Sequence, residues 1–157
     1  MIDPRDFPKD RVLLDQEAIG KMNPQRGGFI QLNSILHFDP EANLMVGYRK
    51  VEMNEFWHDW HLPGRPLLPG ALMIETMGQF ASVHTHKHFG FPEETFLGFG
   101  GVENCRFRDS VEPPAELWVA GRIVSGTANR PVVKWEGQIL RPNGKIVASA
   151  QILGLKF

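Results

Sequence analysis

The stretch "WHLPGRPLLPGALMIETMGQ", Trp60 to Gln79, limits the folds open to this chain more than any other. Pro63, Pro66 and Pro69, with Gly64 and Gly70, make a stiff loop directly ahead of a nearly all-apolar helical run. That run extends from about Gly70 to Lys87 and carries apolar residues on every side. A helix of this kind must be buried all round. Two strand-like runs precede it and four follow, and one sheet can cover a single helix only by curling about it. The expected fold class is therefore α+β, an antiparallel sheet wrapped around one long central helix.

The strands are read from β-branched and aromatic runs bounded by turn residues. "GGFIQLNSILHF" and "NLMVGYRKVEM" are joined by "DPEA", in which Asp and Pro pre-set the turn dihedrals. After the helix come "TFLGFGGVENCRFR", "ELWVAGRIVSG", "PVVKWEGQILR" and "KIVASAQILGLKF". The last two flank "PNG", and Asn143-Gly144 predicts a two-residue hairpin, since both residues tolerate positive φ. Residues 1–26 read as an irregular lead-in with one short helix around Gln16 to Lys21. A chain of 157 residues has the size of one domain, 1–157, with the motif loop and helix at about 54–88.

A formal net charge of -1 excludes the basic excess that a nucleic-acid binder needs. The single cysteine, Cys105, excludes an intrachain disulfide framework and fits a reducing compartment. The amino terminus has no apolar secretory segment, and prolines interrupt the best candidate for a membrane span. A cytoplasmic location is expected.

Within the motif, Pro69-Gly70 stands where the helix should begin. The first helical amides lack partners, and together with the helix dipole they favour an anion or a polarised carbonyl oxygen. Glycine at position 70 would let a ligand approach the backbone closely. Glu75 lies five residues further, about 7.5 Å along the axis. Among apolar neighbours its carboxylate needs a partner or a raised pKa. Gln79, one turn on, supplies a bland partner; the functional alternative is a general acid. His61, just before the stiff loop, is of the residue type suited to be a base near neutral pH. Taken alone, the proline-rich loop reads first as a rigid connection.

"NEFWHDWHLPGRPLLPGALMIETMGQ" resembles the active-site segment of the FabZ/FabA family of 3-hydroxyacyl-acyl-carrier-protein dehydratases, closest to the FabZ branch. The matching positions are Asn54-Glu55, His61, Pro63-Gly64, Pro66, Pro69-Gly70, Glu75 and Gln79. "VENCRFRDSVEPPAEL" resembles a second family block through Arg106, Phe107, Val111 and Pro113. The resemblance implies a hotdog fold and a hydro-lyase that converts a (3R)-3-hydroxyacyl thioester to the trans-2-enoyl thioester in acyl-chain biosynthesis. It implies His61 and Glu75 as the catalytic pair, with the Gly70 amide on the thioester carbonyl and Pro69 and Gln79 beside the substrate. No cofactor and no metal are implied. The substrate carrier would be an acyl carrier protein or coenzyme A, and the assembly a homodimer or a trimer of dimers, with histidine and acid from different chains.

Two departures stand out. Trp60 replaces the family's glycine before the histidine and is expected to wall the pocket; Pro113-Pro114-Ala115 replaces a Pro-Gly-Asp turn. Arg65, Arg106 and Arg108 are candidates for docking an acidic carrier or its phosphopantetheine phosphate, and read equally well as a solvated face. His84, His86 and His88 read as structural side chains near a helix end rather than metal ligands, and Cys105 as a small core residue. Thioester hydrolysis on the same fold, and a non-catalytic acyl-binding module, are the alternatives.

Overall fold

The computed structural model describes residues 2–157. Six strands, β1 Ser34–Asp39, β2 Leu44–Val51, β3 Leu97–Phe107, β4 Ala115–Ser125, β5 Val132–Leu140 and β6 Ile146–Lys156, form one sheet. Its order is β1-β2-β4-β5-β6-β3, and every pairing is antiparallel. The sheet wraps helix α2, Gly70–Phe89, as the hotdog arrangement expected from the sequence requires. A shorter helix, α1 at Gln16–Met22, is capped by Asp15, whose carboxylate accepts the Ala18 amide at 2.9 Å.

Alternation along β4 sorts its residues to two faces. Leu117, Val119 and Ile123 join the core around α2, while Trp118 and Ala120 join a second cluster with Leu36, Val46, Tyr48 and Leu140. Helix and sheet approach closely at Gly47: a Cβ there would stand 2.8 Å from the Phe80 ring, so only glycine admits this fully buried aromatic. Burial of a side chain like Phe80 contributes roughly 1.5–3 kcal/mol.

The structure differs from expectation in several places. Residues 27–33 are not strand; Gly27–Phe29 form a short 3-10 turn and β1 begins only at Ser34. The β5–β6 turn is not a two-residue hairpin: the Gly144 amide donates to the Arg141 carbonyl at 2.9 Å, and of Asn143 and Gly144 only the glycine has positive φ. Pro142, with its fixed φ, instead starts a longer turn closed by the Arg141 amide on the Lys145 carbonyl, inside which the Lys145 amide donates to Asn143 Oδ1. The lead-in is a cover for the outer sheet face: Ile2 and Phe7 pack on the second cluster, the Trp118 indole donates to the Phe7 carbonyl at 2.8 Å, and Lys9 pairs with Glu116.

α2 is also not buried all round. Ala71 is exposed, and Ile74, Glu75, Gly78 and Ser82 are only half-buried, which leaves one open stripe at helical spacing. Beside it β3 forms a sheet edge, with Phe99, Val102 and Phe107 exposed.

Candidate active site

The loop ahead of α2 is tied at several points. Trp57 is buried, and its carbonyl accepts the amides of Trp60 at 3.1 Å and His61 at 2.9 Å. The Leu68 amide donates to the Val111 carbonyl at 2.8 Å, which fastens the loop to the block around Arg106 to Pro113. The exposed His61 ring places Nδ1 2.9 Å from the Leu67 carbonyl. A carbonyl only accepts, so Nδ1 carries a proton, and in the neutral ring the lone pair is on Nε2.

At the helix start, Pro69 takes an extended conformation and its carbonyl accepts the amides of Leu72 and Met73. The amides of Gly70 and Ala71 have no acceptor among the described residues. The space beside the Gly70 α-carbon, expected to be open to a ligand, is filled by the Phe107 ring. A Cβ at position 70 would stand 2.9 Å from its Cζ.

Glu75 is half-buried because it lies on the open stripe of α2, not enclosed among apolar neighbours as expected. Gln79 Nε2 donates to Glu75 Oε1 at 2.9 Å, while Oε2 has no donor among the described residues. Both Gln79 amide hydrogens are engaged within the protein: Nε2 also donates to the Phe29 carbonyl at 2.8 Å. Gln79 Oε1 accepts the Gln31 amide at 2.8 Å. Gln79, expected beside the substrate, thus holds the acid and also lines the cavity next to it.

A cavity of about 140 Å³ opens between α2 and the sheet, lined among others by Glu75, Gly78, Ser82, Phe99 and Trp135. His61 does not line it, and no hydrogen bond joins His61 to Glu75. Trp60 does not line it either; the residue is 82% exposed. A larger open groove of about 670 Å³ lies on the outer sheet face near Ala120 and Gln138, remote from both residues. Arg65, Arg106 and Arg108 are exposed, with the Arg106 guanidinium bent onto the Cys105 carbonyl.

Of the remaining candidates, His84, His86 and Cys105 have structural partners, while the buried His88 Nδ1 has no hydrogen-bond partner among the described residues. His84 is fully buried and accepts the Trp135 indole N–H at 3.2 Å. Burial, and secondarily the charge on His88, lower its pKa to about 4. Both ring nitrogens of His86 face carbonyls, those of Ser82 and Thr95. Cys105 packs on the core edge, and burial raises its thiol pKa against the pull of Arg106.

Sequence reasoning missed the residues behind Gln79. Gln31 Oε1 accepts from Arg49 Nη2 at 2.8 Å, and Arg49 pairs with Glu55, with Nη2 2.6 Å from Oε1. The signal was a polar Gln31 inside the apolar run "GGFIQLN".

Comparison with known proteins agrees with the fold. The 3-hydroxyacyl-[acyl-carrier-protein] dehydratase FabZ of Xanthomonas oryzae pv. oryzae is 31% identical over 147 residues, covering 93% of this chain and 94% of that protein. FabZ of Fusobacterium nucleatum is 37% identical over 101 residues, 64% of this chain and 70% of that protein. Among solved structures, a dehydratase heterocomplex from Xenorhabdus doucetiae superposes with a TM-score of 0.72 at 15% identity, covering 88% of this chain and 90% of that one. A mutant thioesterase from Pseudomonas aeruginosa gives 0.65 at 12% identity, over 94% and 98% of the two chains. These last two share the fold. A model of the FabA-like domain matches residues 23–151, and the chain belongs to that family.

Proposed function

We propose that the protein dehydrates a (3R)-3-hydroxyacyl thioester to the trans-2-enoyl thioester, on an acyl carrier protein or coenzyme A. The observation that carries this reading is the set of three unsatisfied groups on one loop and helix. These are the bare Nε2 of His61, the free amides of Gly70 and Ala71, and Glu75 Oε2. Dehydration needs one of each kind. His61 Nε2 takes the C2 proton, the amides hold the thioester oxygen as it gains negative charge, and Glu75 in its protonated form hands its proton to the departing C3 hydroxyl as water. Protons balance: the imidazole gains one and the carboxyl loses one, and transfer through solvent resets the pair. No cofactor enters the scheme. The cavity beside Glu75 takes the acyl chain.

The site is shared between two chains in this reading. The free β3 edge and the open stripe of α2 lie side by side. A second copy pairing along β3 would cover both and offer its His61 to this chain's Glu75, in a C2 dimer. Trp60 would meet the substrate only in that assembly.

The test is incubation of the purified protein with 3-hydroxyacyl thioesters of several lengths, reading enoyl thioester and free thiol separately. Enoyl product without thiol release is expected. Thiol release without enoyl product would favour a thioesterase.

A further inference from the structure

A continuous run of hydrogen bonds leads from the acid on α2 to the loop that bears His61. Glu75 Oε1 accepts from Gln79, whose amide is gripped by the Phe29 carbonyl and the Gln31 N–H. The Gln31 side chain reaches both ways, donating to the Gly28 carbonyl and accepting from Arg49 Nη2. Arg49 is 3% exposed and forks onto Glu55, with Nη1 3.1 Å from Oε2 and Nη2 2.6 Å from Oε1. Glu55 also accepts the Glu52 amide at 2.6 Å and the Trp57 indole at 3.3 Å. Trp57 is the residue whose carbonyl holds the His61 amide.

The chemistry of this chain has direction. Phe29 O can only accept and Gln31 N–H can only donate, so the Gln79 amide has one orientation, with Nε2 toward Glu75. In the protonated carboxyl, with Oε1 already accepting, the proton falls to Oε2, the oxygen without a protein partner. Burial would push the Glu55 carboxyl up, but the Arg49 guanidinium, the Glu52 amide and the Trp57 indole together hold it below the usual carboxylate range. The Arg49–Glu55 pair therefore stays ionic and bidentate.

Resting on the dehydratase reading, we infer that Gln31 and Arg49 are positioning residues. Through one buried anchor they orient the Glu75 carboxyl by way of Gln79 and seat the Trp57 turn that carries His61.

Removing Arg49 would strand the Glu55 charge and risk unfolding, so the informative variant is Gln31→Leu, which keeps the backbone N–H, the volume and the ion pair. Its kcat should fall about tenfold to a hundredfold, with KM within about twofold of wild type. Gln31→Glu, which restores an acceptor for Arg49, should return kcat to within about threefold. Independently of turnover, hydrogen exchange at the Gln79 side-chain amide, read by ¹⁵N NMR, should speed up about tenfold in Gln31→Leu and not in Gln31→Glu. An unchanged Gln79 amide in Gln31→Leu overturns the inference even if the wild type proves inactive as a dehydratase. So does a Gln31→Leu enzyme with wild-type kcat. A wild type without activity whose Gln79 amide still loosens in Gln31→Leu would refute the dehydratase reading while upholding the anchor.

Discussion

The Phe107 ring lies against Gly70, so that a methyl group added at Gly70 would come within 2.9 Å of the ring's Cζ and 3.1 Å of Cε1. The ring belongs to the edge strand β3 and is half exposed, so it can swing outward. Gly70→Ala should therefore cost little stability, about 1 kcal/mol. Turnover should drop further than stability, because the displaced ring and the new methyl crowd the free amides. Thermal unfolding and turnover of Gly70→Ala and of Gly70→Ala/Phe107→Ala check this, and the second change should restore stability. An unaltered Gly70→Ala protein would contradict the placement of the ring.

His84 gives a pH dependence of stability. Its folded-state pKa, about 4, lies below the ordinary value of 6.5, chiefly through burial. Between those values the unfolded chain binds a proton that the folded chain refuses, so stability rises with pH there. The contribution is complete above about pH 6.5 and is lost as pH falls toward 4, a change of about 3 kcal/mol at 1.4 kcal/mol per unit. His84→Asn keeps an acceptor for the Trp135 indole but does not titrate. Urea unfolding from pH 7 to 4.5 should show a shallower loss for the variant; parallel curves would exclude His84 as the cause.

How far the sequence carried depended on the range of the interactions involved. The strands and α2 were readable because alternation and apolar runs are local properties, and α2 ran only two residues past its expected end at Lys87. The β5–β6 turn was misread because Pro142 outweighs Asn143-Gly144 in setting the turn. The lead-in looked irregular because its partners, Trp118 and Glu116, lie more than a hundred residues away. His61, Gly70 and Glu75 stood out as candidates through the motif's resemblance to the dehydratase segment. Gln31 and Arg49 did not, since what defines them is a set of contacts spanning β2 and the segment before β1.

In the proposed function, docking of an acidic carrier falls to local charge, because the chain as a whole is near neutral. Arg106 and Arg108 flank Phe107 at the end of β3, beside the helix start. Replacing both with Glu should raise the apparent KM for a carrier-bound substrate about tenfold and leave that for a small thioester mimic within about twofold. Equal effects on the two substrates would count against docking at this edge.

The shared-site reading makes a quantitative prediction for mixed chains. After reversible dissociation, a His61→Ala chain and a Glu75→Gln chain should re-form about half of all dimers as hybrids, each with one intact and one doubly damaged site. Activity should recover to about a quarter of wild type. Verified hybrids without recovered activity would place histidine and acid in the same chain.

The central claim is that His61 and Glu75 together dehydrate a 3-hydroxyacyl thioester. Its most direct measurement is the steady-state rate of enoyl thioester formation by wild type, His61→Ala and Glu75→Gln, with thermal unfolding of each recorded alongside. Wild type should form the enoyl product, and each variant should be slower by about a hundredfold or more at an unchanged melting temperature. A folded variant that keeps the wild-type rate, or a wild type that forms no enoyl product, would contradict the account.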